Sequence, residues 1–488
     1  MKPMETAIES RLNFIRSGGR GTGEGLVPSG MTGGVPNIVS RVPGGKPAEA
    51  VERAAVAEPT ADGAPPPTED GLLAPDYRPK TTAELGIRQS IADDLALKTL
   101  YMGGSSLPTR ELARDMRVSV NVADEIVSRL RSAQLCQVMG MTGNLPTVAL
   151  TDQGRKRGLE LLSLSQYVGP APVSLKSYIT QVRRQSVRNM VVHKADVERA
   201  FGDLVMDPRV LGQIGTGLNS GSSIFVHGPA GVGKTAIAET MARVLAEDAV
   251  WIPHTVEVDG QMIVVYDPMV HKRVESAEYE NGDERWVRCE RPSVLVGGEL
   301  TIDMLDLQFN ATTKFYNGPI QMKANNGVLI MDDFGRQRVR PEDLLNRWVV
   351  PLDRRIDFLS MAGGRKIEIP FEMLVVFSTN LDPADLVDAA FLRRMQTKIR
   401  VDTATDPQFR QIFRKVAAHR GLYVDESALA DLILAIRDGL HEELRPCHPR
   451  DLINQVCWAA QYEDRRPILD RASLLGAMEA YFLMPKGH

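Results

Sequence analysis

The stretch HGPAGVGKTAIAE, from His227 to Glu239, constrains the fold of this chain more than any other. A short apolar segment, 224–227, precedes the loop, and apolar residues at helical spacing follow from Lys234. The pattern G-x-x-x-x-G-K-T between a strand and a helix is typical of a loop that binds nucleotide phosphates. The sequence therefore predicts an α/β domain with a nucleotide site where this strand ends.

The residue types of the loop suit phosphate binding. Glycine lets the backbone turn so that its N–H groups point at phosphate oxygens, and the N-terminus of the following helix adds partial positive charge. Lys234 is expected to reach the β- and γ-phosphates, and Thr235 to place its hydroxyl on Mg²⁺. The predicted nucleotide-binding residues are Gly228, Pro229, Ala230, Gly231, Val232, Gly233, Lys234, Thr235 and Ala236.

A second apolar run, in GVLIMDDFGRQ, ends in two carboxylates. Asp332 directly follows the run and is predicted to complete the Mg²⁺ site together with Thr235. Asp333 is predicted to orient or deprotonate the attacking water, as a general base within hydrogen-bond reach of it would. The two candidate catalytic and metal-binding acids are therefore neighbours in the sequence.

Residues from about 172 to 485 resemble an AAA+ ATPase, because further landmarks follow in the order of that family. The apolar segment FEMLVVFSTN ends at Asn380, which matches the sensor-1 position. The basic pair in FLRRMQTKIRV matches the arginine finger, with Arg394 aligning best and Arg393 as the alternative. In CHPRDLINQVCWAAQ, Arg450 matches sensor 2, the residue that reports the nucleotide state from a helical lid.

The resemblance implies an ATPase that needs ATP and Mg²⁺ and works as a homo-oligomeric ring. In such a ring the finger arginine of one subunit stabilises charge on the phosphoryl group bound by its neighbour. The general likeness is to AAA+ proteins of the MoxR-like or chaperone-like kind, which is an analogy at the level of the fold. The chain departs from the family at Asp333, where glutamate is usual. A side chain one methylene shorter makes slow turnover or a water-bridged base a real alternative.

The sequence divides into a tail, two domains and a lid. Residues 1 to about 16 form either one short amphipathic helix or a frayed end. The rest of the tail is rich in Gly, Pro and Ala and is predicted to be disordered, because such a segment buries too little apolar surface to offset its ordering entropy. The predicted units are the tail and linker at 1–80, a winged-helix-like domain at 81–168, an α/β core with a parallel sheet at 172–402 and a helical lid at 403–488. A β-hairpin insertion in the core is expected at about 254–300.

Elements in the order helix, helix-turn-helix, two strands and helix make residues 82–165 resemble a winged helix-turn-helix domain. DNA affinity rests largely on neutralised phosphates, and a reading helix usually presents basic or amide side chains. Asn121 suits that role, whereas Asp124 and Glu125 would be repelled by phosphate. Docking of a protein partner is therefore favoured, and DNA binding remains the alternative.

The insertion is predicted to form two strands around the polar turn SAEYENGDE. Its aromatic residues either grip a substrate chain at the centre of a ring or fill the core of the insertion itself. The aromatic candidates are Tyr266, Trp286, Phe315 and Tyr316.

Composition limits the remaining choices. The formal net charge of −4 and the pI of about 6.1 give no global attraction to nucleic acid. Four scattered cysteines indicate neither a zinc site nor a disulfide framework. The absence of a signal peptide and of a long apolar run predicts a cytoplasmic protein. Three functions remain: an oligomeric ATPase that remodels or assembles a protein partner, a DNA-associated regulator or loader, and a slow nucleotide switch.

Overall fold

The computed structural model describes residues 74–104, 106–275, 282–386 and 392–482. Most of the predicted tail, 1–73, lies outside the described residues. Residues 74–80 belong to the described part, although the sequence assigns them to the linker. The N–H of Asp283 donates to the carbonyl of Pro75 at 2.8 Å, and the Ser119 hydroxyl donates to the carbonyl of Pro79 at 2.6 Å. The domain therefore begins several residues before the predicted boundary at 81.

The N-terminal part packs helices against a small antiparallel sheet with the strand order β1-β3-β2. Its helices are α1 (Gln89–Met102), α2 (Thr109–Asp115), α3 (Val120–Ser132) and α4 (Asp152–Leu164). Its strands are β1 (Leu107–Pro108), β2 (Cys136–Thr142) and β3 (Leu145–Leu150). The Ser119 side chain caps α3 by accepting from the N–H of Val122, and the apolar face of this helix is buried at Val122, Ile126 and Leu130. Assignment to the winged-helix class stays a prediction.

From residue 173 to residue 400 the described chain alternates strands and helices. The strands are β4 (Val173–Ser174), β5 (Ile224–His227), β6 (Ala249–Pro253), β7 (Thr255–Val258), β8 (Gln261–Val264), β9 (Trp286–Glu290), β10 (Ser293–Val296), β11 (Gln308–Phe309), β12 (Tyr316–Asn317), β13 (Val328–Met331), β14 (Ile356–Ser360), β15 (Lys366–Pro370), β16 (Leu374–Thr379) and β17 (Thr397–Arg400). The helices are α5 (Leu175–Arg184), α6 (Lys194–Ala200), α7 (Pro208–Ser220), α8 (Lys234–Leu245), α9 (Ile320–Ala324), α10 (Pro341–Arg354) and α11 (Pro383–Leu386).

A five-stranded parallel sheet forms the centre of this part, with the order β10-β13-β16-β5-β17. Successive residues of β5 point to opposite faces, as a strand requires. Ile224 and Val226 pack with α8 in one apolar cluster, and Phe225 packs with Phe334 and Phe377 in another. Apolar clusters cover both faces of this sheet, so its strands are continuous runs of apolar residues. This is the pattern of a buried parallel sheet.

The predicted hairpin insertion differs from the structure in where it turns. Strands β7 and β8 pair around Asp259 and Gly260, whose φ angles are 49° and 84°. An Asp-Gly pair with positive φ at both positions is the preferred two-residue hairpin turn, because its twist matches that of the strands. Most of the longer polar segment SAEYENGDE, which the sequence predicts as the turn, lies outside the described residues.

The partners of the other predicted insertion strand also differ. Strand β9 pairs antiparallel with β6, and β10 joins the parallel core sheet although it lies within 254–300. Strands β7 and β8 belong to a second five-stranded sheet with the order β11-β12-β8-β7-β4, and β14 pairs with β15. The insertion is therefore a set of small sheets beside the core rather than one hairpin.

The N-terminal part packs directly on these sheets. The Tyr167 hydroxyl lies 2.7 Å from the Thr255 hydroxyl in β7, and the Tyr167 ring meets the Phe315 ring edge to face. Met262 of β8 belongs to the same buried apolar cluster as helices α1 to α3. The domain is therefore packed against the insertion through a shared apolar core.

The C-terminal part is helical, with α12 (Asp406–His419), α13 (Glu426–Leu434), α14 (His448–Tyr462) and α15 (Arg471–Tyr481). A π-helical turn, Ala435–Gly439, extends α13. The four helices enclose their own core, which includes Phe409, Phe413 and Ile453. None of the helices in the described parts of the chain has the length and apolar character needed to cross a membrane.

Candidate functional site

The phosphate-loop sequence connects β5 to α8 at the edge where the parallel strands end. A Cβ added at Gly228 would lie 2.0 Å from the carbonyl oxygen of Val401, so only glycine fits there. Gly231 has φ 81°, a conformation that side chains rarely adopt. Val232 turns inward and is 4% exposed, whereas Ala230 lies on the exposed side of the loop. The glycines thus hold the loop in a tight curve at the start of α8.

Lys234 lies at the centre of this curve. Its ammonium donates to the carbonyls of Gly228 at 3.0 Å and Pro229 at 2.8 Å, and the residue is 8% exposed. Burial lowers the pKa of Lys234, while the nearby carboxylates of Asp333 and Asp332 act in the opposite direction. The lysine and both predicted acids therefore belong to one electrostatic cluster.

Thr235 and Asp332 meet directly, although 97 positions separate them in the sequence. The Thr235 hydroxyl donates to Oδ2 of Asp332 at 2.7 Å. Asp332 follows β13, two places from β5 in the sheet, and Thr235 reaches it from the first turn of α8. The structure brings together the two side chains that the sequence analysis predicts as Mg²⁺ ligands.

Asp333 adopts an unusual backbone conformation, with φ 48°. Two hydrogen bonds fix the turn that follows: the N–H of Phe334 donates to the carbonyl of Ser378 at 2.7 Å, and the Thr379 hydroxyl donates to the carbonyl of Phe334 at 2.7 Å. Among residues other than glycine, Asp and Asn adopt positive φ most readily. The aspartate that departs from the family pattern is therefore well suited to this turn.

Asn380 follows β16 at the same edge of the sheet, between the ends of β13 and β5. Its Oδ1 atom is buried and has no hydrogen-bond partner within the described residues. A buried polar atom without a partner is uncommon and calls for an explanation, such as a ligand or a water. The position suits a group that contacts a nucleotide or its attacking water.

The two finger candidates lie at the opposite edge of the sheet. Arg393 and Arg394 precede β17, beside Ser223, which precedes β5. Ser223 and Gly228 lie at the two ends of β5, five residue steps apart, which is a rise of about 16 Å. The Nε of Arg394 donates to both carboxylate oxygens of Asp353, at 2.9 and 3.1 Å. Within one chain, the structure therefore does not bring Arg393 or Arg394 to the phosphate loop.

A cavity of about 360 Å³ opens beside these arginines. It is polar and rich in positive charge. The residues that line it include Ser222, Ser223, Asp353, Arg355, Arg393 and Arg394. The guanidinium of Arg355 donates to the carbonyl of Met373 at 3.1 Å, which makes it part of the wall.

The lid touches the phosphate loop just before α14. The N–H of Cys447 donates to the carbonyl of Gly231 at 3.2 Å. Arg450, the predicted sensor-2 residue, has a side chain that is 67% exposed and donates to its neighbour Asp451 at 3.0 Å. Arg445 packs closer to the loop, but the sequence analysis did not select it. The only signal for it was a second arginine in the segment LRPCHPR.

The aromatic residues that were candidates for gripping a substrate chain are largely buried. Trp286 and Tyr316 are 7% and 2% exposed, Phe315 packs on Tyr167, and the Tyr266 ring lies between the rings of two histidines. Of the two alternatives in the sequence analysis, these contacts favour the core of the insertion.

A family model described as a domain of unknown function (DUF8689) matches residues 405–480, which are the lid helices. None of the curated proteins matches the chain.

Among solved structures, NtrX from Brucella abortus in complex with ADP is 13% identical with a TM-score of 0.35; the alignment covers 57% of this chain and 56% of that one. A second NtrX structure is 13% identical with a TM-score of 0.37 and covers 59% and 58%. The RuvB Holliday junction branch migration motor of Thermotoga maritima is 15% identical with a TM-score of 0.33 and covers 57% and 70%. The chain thus spans little more than half the length of the NtrX chains. Likeness of this degree establishes neither a family nor an activity.

Proposed function

We propose that this chain is a Mg²⁺-dependent ATPase of the AAA+ type. The observation that carries the proposal is the 2.7 Å hydrogen bond between Thr235 and Asp332, next to the buried ammonium of Lys234. Asp332 lies 97 positions from Thr235 in the sequence, and each of the three side chains has the chemistry that a Mg²⁺–nucleotide complex needs.

The residues fit the metal as well as the nucleotide. Among the described residues, no group of three or more His, Cys, Asp and Glu side chains could hold a metal by itself. Mg²⁺ suits the site nonetheless, because it is usually held by one or two protein oxygens together with substrate phosphates and water. Thr235 and Asp332 would supply those protein oxygens. When bound, Mg²⁺ would supply positive charge that offsets the negative charge of the phosphates.

The remaining acids and amides take roles around the terminal phosphate. The loop N–H groups from Ala230 to Thr235 would bind phosphate oxygens, and the ammonium of Lys234 would turn from the loop carbonyls to the phosphate charge. Asp333 accepts a proton from the attacking water or orients it, and Asn380 uses its unpartnered Oδ1 to position that water. Hydrolysis of ATP to ADP and phosphate is therefore the reaction that the site supports best.

Arg394 completes the site from a neighbouring subunit, in this proposal. The guanidinium lies about a full strand length from the phosphate loop of its own chain, so it can reach a nucleotide only across a subunit boundary. A ring or helical homo-oligomer follows, since a head-to-tail contact of this kind repeats from subunit to subunit. Arg393 is the alternative finger residue.

The experiment that tests the activity compares Thr235→Ala with the wild type. We expect the variant to bind ATP equally well with and without Mg²⁺ and to lose at least a hundredfold in hydrolysis rate, because the hydroxyl that would bind the metal is gone. Thr216→Ala is the matched control. Its helical hydroxyl donates to the carbonyl of Gly212 on an exposed face of α7. Unchanged Mg²⁺-dependent hydrolysis in Thr235→Ala would contradict the proposal.

The N-terminal domain serves, in this proposal, as a dock for a protein partner. Glu125 of α3 accepts from the N–H and hydroxyl of Thr82, and Arg129 donates to Asp93, so both side chains are occupied within the domain. Asn121, Asp124, Ser128 and Arg131 remain exposed on this helix. This exposed set has no net charge.

The hairpin of strands β2 and β3 in this domain also favours docking of a protein partner. Strands β2 and β3 contain no charged residue, and Met139 and Met141 are more than 60% exposed. An uncharged surface of this kind cannot neutralise DNA phosphates, whereas exposed methionines suit apolar protein contacts. Salt-dependent binding of duplex DNA by the full chain at low ionic strength would instead favour the DNA-associated alternative.

A further inference from the structure

Arg445 lies just before α14, the lid helix whose N-terminal end touches the phosphate loop. Pro446 and Cys447 separate it from the start of α14 at His448. The N–H of Arg445 lies 3.4 Å from Nδ1 of the buried His448 ring, and the carbonyl of Arg445 accepts from the N–H of His448 at 3.0 Å. These contacts fix the backbone of Arg445 against the end of the helix.

The side chain of Arg445 lies directly on the phosphate loop. A Cβ built on Gly231 would be 3.3 Å from Cδ and 3.7 Å from Cβ of Arg445, and 2.7 Å from Sγ of Cys447. The N–H of Cys447 also donates to the carbonyl of Gly231. The lid and the loop are therefore joined at one glycine, and Arg445 is half of that junction.

The charge of Arg445 is only partly compensated. Its Nε is buried without a hydrogen-bond partner in the part of the chain that the structure describes, and its Nη2 lies 3.4 Å from the Glu442 carboxylate. The positive charge helps to lower the pKa of His448, after the larger effect of burial. A buried guanidinium N–H without an acceptor is available to an anionic ligand at this junction.

Arg450 differs from Arg445 on each of these points. It is 67% exposed, whereas the Arg445 side chain is 35% exposed. It donates to the adjacent carboxylate of Asp451 at 3.0 Å. It lies on the helix itself, three residues beyond the Cys447 contact with the loop.

We infer that Arg445, rather than Arg450, is the lid side chain that senses the terminal phosphate of ATP. The inference rests on the proposed function, because it assigns a residue to the same nucleotide site. The additional phosphate of ATP brings extra negative charge to the loop, and Arg445 Nε can donate to it while its aliphatic part stays on Gly231. The same contact couples the nucleotide to the position of the lid.

The test measures the dissociation constants of ADP and of a non-hydrolysable ATP analogue, both with Mg²⁺, for the full chain. Charge-assisted hydrogen bonds predict that Arg445→Ala weakens the ATP analogue about tenfold or more and ADP by less than about twofold. Arg445→Lys should recover part of the preference, because it restores the charge without the planar fork. Arg466→Ala, which removes an exposed charge four residues beyond the C-terminal end of α14, should change neither constant.

The outcomes separate this inference from the proposed function. Wild-type chain that binds neither nucleotide would contradict the proposed function itself. Wild-type chain that binds both, with Arg445→Ala unchanged or weakened equally for both, would overturn the inference alone. A larger selective loss in Arg450→Ala than in Arg445→Ala would return the sensing role to the exposed arginine. A purely structural role for Arg445 would weaken both ligands together and would not be rescued by lysine.

Discussion

At the scale of single residues, the backbone turn at Asp333 explains why aspartate stands where the AAA+ pattern expected from the sequence has glutamate. A residue with φ 48° is strained by roughly 1–2 kcal/mol unless it is Gly, Asn or Asp. Glutamate lacks the short side chain that lets Asp and Asn hydrogen-bond locally in this conformation. The turn therefore favours aspartate at position 333. The same short side chain limits how far Asp333 can reach as a general base.

Asp333→Asn separates these two roles. We expect the variant to bind ATP as the wild type does and to keep the same thermal midpoint, because Asn also accepts a positive φ. Hydrolysis should fall by about 10²- to 10⁴-fold, since the amide cannot accept a proton from water. Steady-state phosphate release and nucleotide binding measured side by side check this. Full activity in Asp333→Asn would show that a different group acts as the base and that Asp333 does not limit the rate of hydrolysis.

The residue scale also shows what sequence patterns can and cannot predict. Lys234, Thr235 and Asp332 were predicted from fixed spacings around buried strands, and the structure brings them together. The contact of Arg445 with Gly231 was not predicted, because it depends on the path of the chain through a loop, which no spacing encodes. The exposure of Arg450 could not be predicted for the same reason.

At the scale of elements, the first turn of α14 contains a buried histidine with a strongly altered titration. His448 is 2% exposed and its ring packs against Tyr481 and Phe482. Burial lowers the pKa of His448 to about 4, and the charge of Arg445 acts in the same direction. The folded lid therefore holds the neutral ring, whose Nδ1 faces the N–H of Arg445.

The stability of the lid therefore depends on pH through His448. The folded pKa of His448 lies below its ordinary value of about 6.5, so its contribution to stability is present above that pH and is lost as the pH falls toward about 4. The loss amounts to roughly 3 kcal/mol. Thermal unfolding of the full chain between pH 7 and pH 4 checks this against His448→Gln, which cannot titrate. An equal fall in both proteins would contradict the assignment to His448.

The elements that were predicted well are those whose signals are local. The helical spacing of the lid and the continuous apolar runs of the core sheet specify α12, β13 and β16 without knowledge of their neighbours. The small sheets of the insertion depend on pairings between strands such as β6 and β9, which lie more than 30 residues apart. Such pairings are decided by the whole fold. The first hairpin has a local signal as well, because Asp259 and Gly260 form the preferred two-residue turn between β7 and β8.

At the scale of the whole molecule, a buried ion pair fastens the N-terminal domain to the insertion. Arg285 and Asp283 are both about 5% exposed and form a bidentate contact. The Arg285 guanidinium also donates to the carbonyls of Leu85 and Pro172, at 2.8 and 3.1 Å. One side chain thus connects three segments that are distant in the sequence.

Arg285→Ala should loosen this junction by about 3–5 kcal/mol, because it leaves the Asp283 carboxylate buried without its partner. We expect limited proteolysis to release the N-terminal domain faster while ATP binding persists. The double variant Arg285→Met with Asp283→Leu is the control, since it removes both charges and should recover much of the stability. Equal protease resistance in wild type and Arg285→Ala would argue against the junction.

The proposed ATPase site is completed at the scale of the whole molecule. The phosphate loop and Arg394 lie at opposite edges of one sheet, so in the proposed ATPase each active site is shared by two subunits. Arg394→Ala and Asp333→Asn should each be nearly inactive alone, for different reasons. In a mixed assembly, an intact loop from one variant can meet an intact arginine from the other.

The most direct test of this central claim is therefore ATP hydrolysis by mixtures of Arg394→Ala and Asp333→Asn. With random assembly, roughly a quarter of the interfaces contain both intact halves, and we expect activity to rise toward that fraction of the wild-type rate at a one-to-one ratio. The activity should also vanish on dilution below the assembly concentration. Two variants that co-assemble but stay inactive at every ratio would contradict a site completed in trans by Arg394.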